Sequence, residues 1–149
     1  MKVALAQLNT TVGDLDGNEA ALRAAYARGV AAGAELVLAP ELATTGYPPR
    51  DLLLRRGFVR RNLEVVQRLA AATGATGLVL GFVGENPVRP GREFTNAVAL
   101  LQHGRILATR AKLLLPTYDV FDEDRYFEPA AENTPVPFNG RRLGLTVCE

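Results

Sequence analysis

One cysteine, one histidine, two lysines and no tryptophan occur in 149 residues, and each scarcity excludes something. A single thiol, Cys148, can form neither an internal disulfide nor a cysteine-based metal cluster, so a reducing cytoplasm is the expected compartment. The net charge of +1 lacks the basic excess of a nucleic-acid or anionic-membrane binder. No apolar run approaches the roughly 20 residues of a membrane span. The apolar N-terminal run breaks at Gln7, too soon for the core of a signal peptide. There is no internal repeat, low-complexity tract or interdomain linker.

The composition present, 48% hydrophobic and 22% charged, reads as one globular domain. Of 17 basic residues only Lys2 and Lys112 are lysines. A surface cation in this sequence is normally arginine, so a lysine at 112, beside an apolar stretch, points to a need for its compact ammonium group.

Apolar runs predict strands over Val3 to Asn9, Leu36 to Ala39 and Gly77 to Val83. Helical periodicity predicts helices over Asn18 to Ala32 and Phe58 to Thr73, the second with Val59, Leu63, Val66 and Ala70 on one face. Thr95 to Leu101 and Arg105 to Ala111 flank His103-Gly104, a hairpin signature. Pro116 to Pro137 is a long irregular stretch, too aromatic for simple disorder and expected to pack as a pocket wall. A last strand is predicted from Leu143 to Cys148, after the Asn139-Gly140 turn. Early strands alternating with helices imply an α/β fold whose first strands are parallel.

Glu41, Lys112 and Cys148 each end a predicted strand, and ligands of open α/β sheets gather beyond strand carboxyl ends. Their chemistry is complementary. A thiolate attacks an amide carbonyl, a carboxylate moves its proton to the leaving amine, and an ammonium group with a backbone N–H, here that of Glu149, stabilises the oxyanion. Each residue alone has a plainer reading. A lone buried cysteine is normally an inert small hydrophobe, Glu41 a solvated strand end, and Lys112 an edge-strand gatekeeper. His103 reads as a turn residue only, and the glycines from Gly81 to Gly91 lack the ending of a phosphate loop.

Three segments tip the balance. Leu38-Ala39-Pro40-Glu41-Leu42 with Thr45-Gly46-Tyr47-Pro48-Pro49-Arg50-Asp51-Leu52-Leu53, the run from Lys112 to Phe127, and Gly144-Leu145-Thr146-Val147-Cys148-Glu149 resemble the three catalytic motifs of the nitrilase superfamily. Their wording is similar to the glutaminase domains of the glutamine-dependent NAD synthetases. The resemblance covers the whole chain but only about the first half of such a domain.

It implies the first half of a nitrilase-type α-β-β-α sandwich. One sheet face would lie under two helices, and the other would be apolar and meant for a second sheet that the chain does not encode. It assigns Glu41 as general base, Lys112 as stabiliser of the oxyanion, and Cys148 as nucleophile. Tyr47 and Tyr118 would line the glutamine pocket, and Glu123 would orient the lysine or stand solvated. It also implies glutamine hydrolysis through a thioester, with ammonia passed to a C-terminal synthetase domain that would use ATP, magnesium and deamido-NAD. No cofactor is expected within residues 1–149. The complete protein is expected to be a homo-oligomer, and residues 1–149 in isolation to be unstable or self-associated and inactive. A stand-alone amidase acting on another amide, or a non-catalytic binding fragment, are the other readings.

Overall fold

In the computed structural model, which describes residues 1–148, five strands form one mixed sheet in sequence order. They are β1 (Val3–Leu5), β2 (Leu36–Leu38), β3 (Gly77–Glu85), β4 (Phe94–Gln102) and β5 (Arg105–Ala111). The first three run parallel, with α1 (Leu15–Ala31) and α2 (Phe58–Ala71) between them, and β3, β4 and β5 run antiparallel. A separate antiparallel pair, β6 (Val136–Phe138) and β7 (Arg141–Leu143), follows.

Local chemistry accounts for the boundaries. Helix α1 starts three residues before the expected Asn18, because Asp14 caps it by accepting the Gly17 N–H at 2.9 Å. Helix α2 buries Val59, Asn62, Val65, Val66, Leu69 and Ala70, the stripe that a 3.6-residue period brings to one face. His103 and Gly104 both have positive φ, 53° and 77°, the backbone of a two-residue hairpin turn. Asn139 and Gly140, at 46° and 74°, do the same between β6 and β7.

Two strand expectations are corrected. β1 ends at Leu5 rather than Asn9: after the Ala6 N–H reaches Leu38 O, β2 has already ended and Ala39-Pro40 leads the chain away, so there is nothing left to pair with. Leu143 closes β7, and residues 144–148 form no strand. Leu145 and Val147 are buried while Thr146 and Cys148 are exposed, the side-chain alternation of an extended chain without a ladder. Asn133 Nδ2 holds this segment by donating to Leu145 O at 2.5 Å.

The sheet has an apolar core on each face. Leu22 of α1 and Val65, Val66 and Leu69 of α2 pack against Val37, Leu78, Leu80 and Leu101 on one side. Glu19 of α1 clasps the helices together, accepting from Arg23 of its own helix and from Arg68 of α2 at 2.7 and 2.6 Å. On the other side Leu36, Val79, Val98 and Leu100 meet Val136, Phe138, Leu145 and Val147. That corrects the expectation of a face left wholly to a sheet not encoded here: the chain's own β6–β7 pair and the segment after it cover the centre. The β1 margin stays open, with Val3 38% and Leu5 71% exposed. No helix among the described residues is long and apolar enough to cross a membrane.

Candidate active site

Three elements deliver polar or charged side chains to one end of this second face. By the two-residue alternation of β4, Asn96 shares a face with Val98 and Leu100. Lys112, one residue past β5, donates its backbone N–H to Asn96 O at 2.7 Å and so stands beside it. Glu41 arrives from the chain leaving β2, which crosses directly over β3 at Gly81. A Cβ there would lie 2.6 Å from Glu41 Cα and 2.4 Å from the Leu42 nitrogen, closer than any real contact, so the crossing requires glycine. Leu42 follows with φ of 46°, a left-handed backbone costly for a leucine and held by complete burial.

A buried polar chain fixes the loop beyond. Asn18 Nδ2 donates to Thr44 O at 3.1 Å, Thr44 Oγ1 to Asn62 Oδ1 at 2.6 Å, and Asn62 Nδ2 to Val83 O at 2.7 Å. Both helices and β3 thus grip the segment between Glu41 and Tyr47. Gly46, with φ of 73°, lies so close to the Thr11-Val12 backbone that a Cβ would collide with it at 2.6 Å.

At the centre Lys112, 2% exposed, donates from Nζ to Glu41 Oε1 at 2.9 Å and Glu123 Oε1 at 3.1 Å. Tyr47 donates its hydroxyl to Glu123 Oε1 at 2.8 Å. Asn96, fully buried, donates to Glu41 Oε1 at 2.6 Å and Glu123 Oε2 at 3.2 Å. Burial alone would lower the Lys112 pKa, but the hydrogen bonds and charges of the two glutamates outweigh it, so the ammonium titrates above an ordinary lysine. Burial, then the hydrogen bond to Glu123 and its charge, with smaller effects from Glu41 and Cys148, push the Tyr47 phenol far up. It therefore stays a neutral donor.

Glu123 lies on a 3-10 turn, Glu123–Arg125, within the irregular stretch. Anchors on either side hold that stretch: Glu123 N–H donates to Pro116 O, Glu128 N–H to Phe94 O, and Ala130 N–H to Lys112 O. The stretch also forms a pocket wall. A cavity of about 230 Å³ adjoins the charged cluster, bounded by Tyr47, Pro49, Arg50, Phe121, Glu123 and Tyr126. Tyr47 and Glu123 belong to both, whereas Glu41, Lys112 and Cys148 do not line it.

The structure thus brings together Glu41, Lys112, Glu123 and Tyr47. A burial of 4% exposure for Glu123 and 2% for Lys112 rules out the readings of a solvated acid and an edge gatekeeper. Cys148 is exposed, not a buried hydrophobe, and has φ of 43°, a left-handed strain of the kind that gathers at functional positions. Tyr118 is 57% exposed, lies edge-on to Phe121 at 5.6 Å, and is outside the cavity wall. Glu149 lies outside the described residues. Sequence reasoning missed Asn96, whose signal was an amide interrupting an apolar strand; Phe121, one of the aromatics expected to pack in the irregular stretch, lies 6.2 Å from Tyr47. Among the described residues no group of three or more His, Cys, Asp or Glu is placed to hold a metal ion.

Over its whole length the chain is 40% identical to a glutamine-dependent NAD(+) synthetase of Thermotoga maritima, covering 25% of that protein. It is 41% identical to one from Synechocystis, covering 27%. The chain thus spans about a quarter of the relatives it matches. A solved glutamine-dependent NAD+ synthetase from Acinetobacter baumannii superposes with a TM-score of 0.89 at 32% identity, over 98% of this chain and 27% of that one. An amidase from Nesterenkonia superposes at 0.81 and 27% identity, over 99% and 55%, and one of its structures carries acrylamide added to the active-site cysteine. The carbon-nitrogen hydrolase family model matches residues 2–149, and the chain belongs to that family.

Proposed function

We propose that the complete protein is a glutaminase-bearing NAD synthetase, and that this chain carries the nucleophile, proton carrier and cation of its glutamine hydrolysis. The observation that carries this reading is the buried Lys112 ammonium held between two glutamates, in a chain whose one cysteine is exposed on a left-handed backbone. Such a cluster suits amide cleavage.

In this reading the Cys148 sulfur bonds to the carboxamide carbon of glutamine as its proton passes to Glu41. The carbonyl electrons move onto oxygen, and Lys112, with a backbone N–H after the nucleophile, stabilises that oxyanion. Collapse breaks the C–N bond, and the Glu41 proton leaves with the nitrogen as ammonia. Water then gives a proton to Glu41, its oxygen attacks the thioester carbon, and glutamate and the thiol are released. Tyr47 lines the substrate's approach, and Glu123 keeps Lys112 charged. Ammonia would pass to a C-terminal synthetase domain, to which ATP, magnesium and deamido-NAD belong; no residue of this chain is assigned to them.

The likeness to the Nesterenkonia amidase keeps a second substrate class in play, simple aliphatic amides. Ammonia release by the full-length protein from glutamine and from butyramide discriminates between them. Glutamine is expected to be the better substrate, and Cys148→Ala to abolish its turnover. Preference for butyramide would replace the glutaminase reading, and glutamine turnover surviving Cys148→Ala would overturn both.

A further inference from the structure

We propose that Asn96 is a positioning residue that divides the two glutamates by role, holding Glu123 as a fixed counter-ion and Glu41 in the rotamer that leaves one carboxylate oxygen for proton transfer. The proposal rests on the hydrolytic reading above.

A carboxamide nitrogen carries two N–H donors, and Asn96 directs one to each acid, at 2.6 Å to Glu41 Oε1 and 3.2 Å to Glu123 Oε2. The consequences for the two acids are unequal. Both oxygens of Glu123 are engaged, Oε1 by Lys112 and Tyr47 and Oε2 by Asn96. Glu41 receives both of its donors, Asn96 and Lys112, on Oε1, and among the described residues its Oε2 accepts no hydrogen bond. With its side chain 23% exposed, Glu41 keeps that oxygen available. Glu123 is the buried, three-donor acid, and Glu41 is the one able to exchange a proton.

The orientation of the amide follows from charge. Reversed, Oδ1 would face two carboxylates, and both donors would lose their acceptors. As placed, Oδ1 is buried without a partner, a cost tolerated because the nitrogen bridges two anions. The groups facing this bridge are Glu41, Glu123, Lys112 and Tyr47. Lys112 is also held by its backbone bond to Asn96 O, which survives any change of the Asn96 side chain. Substitution at 96 therefore tests the carboxylates rather than the position of the lysine strand.

The experiment uses full-length Asn96→Asp and Asn96→Ser, with thermal melts, kcat and KM for glutamine, and the pH profile of Cys148 alkylation by iodoacetamide. Asn96→Asp keeps the shape but replaces the donor with a third acid. It is expected to lower kcat about a hundredfold with KM little changed, and to move the acidic limb of the alkylation profile up by about one pH unit, since a donor to ionised carboxylates is lost. Asn96→Ser, retaining one donor, should recover part of both, and carries the comparison should Asn96→Asp not fold. A folded variant with an unmoved alkylation profile, or with rate loss equal at every pH, overturns the proposal. Alkylation needs no glutamine, so a shifted profile in a protein that does not hydrolyse glutamine would sink the glutaminase reading and leave the role of Asn96 standing.

Discussion

At the scale of single residues, Lys112 does two jobs at once: it neutralises two acids that would otherwise repel, and it offers a cation where an oxyanion would form. Replacing it with methionine keeps the length of the side chain and leaves Glu41 and Glu123 facing each other. Loss of about 3–5 kcal/mol at neutral pH is expected, from denaturant melts, with part regained in acid as the paired carboxylates share a proton. A fall in kcat of about 10²–10³ should accompany it. The pH dependence of the wild type follows from the raised Lys112 pKa. The stabilisation is complete below the ordinary lysine value of 10.5 and is lost as pH rises through the higher folded value. Melts on either side of 10.5 should show the alkaline loss beginning only above it, and Lys112→Met should lack that component.

At the scale of elements, the site depends on a backbone crossing. Gly81 allows the chain after β2 to lie on β3, and a Cβ at 2.4 Å from the Leu42 nitrogen meets backbone that cannot rotate away. Gly81→Ala is expected to displace Glu41 and cost about 1–3 kcal/mol. Amide hydrolysis should fall more steeply than stability, as measured by activity at temperatures where the variant is still folded. Far from the site, Glu19 joins the two helices through Arg23 and Arg68. Burial alone would raise its pKa, but the two arginines prevail and lower it. Its stabilisation is therefore present above the ordinary value of 4.5 and lost as pH falls through the depressed folded value. Glu19→Gln should cost about 1 kcal/mol at neutral pH, a small figure because the arginines are half in water. Titration into acid should bring the two melting curves together.

At the scale of the whole molecule, the second sheet face is covered at its centre and open at its β1 margin, where Val3 and Leu5 face water. β1 is also an edge strand, so an exposed apolar surface and unpaired backbone groups occur together. Residues 1–149 produced alone are expected to self-associate. Light scattering across a concentration series checks this, and Leu5→Lys should lower the apparent mass. A monodisperse monomer with a cooperative melt would contradict the expectation.

The sequence by itself determined the α/β order of the first five strands, the parallel start, the His103-Gly104 hairpin, a turn at Asn139-Gly140 (though not the strand β6 before it) and the residues worth watching, because those signals are local: an apolar run, a helical period, a turn dipeptide, and a lysine at 112 in an arginine-rich chain. It overextended β1 and drew a strand through Thr146, since an apolar run states what can be buried and not whether a partner strand is present. The motifs marked Glu41, Lys112 and Glu123 as partners, but only the tertiary structure decided that Asn96 joins them and which oxygen each donor reaches. Asn96, Lys112, Glu123 and Glu41 come from four separate segments, and their juxtaposition depends on the register of β4 with β5 and on the crossing at Gly81. Hydrogen bonds of 2.6–3.2 Å between residues 55 and 27 positions apart in the chain leave no periodicity to read. They exist because packing both faces of the sheet leaves these side chains one place to go.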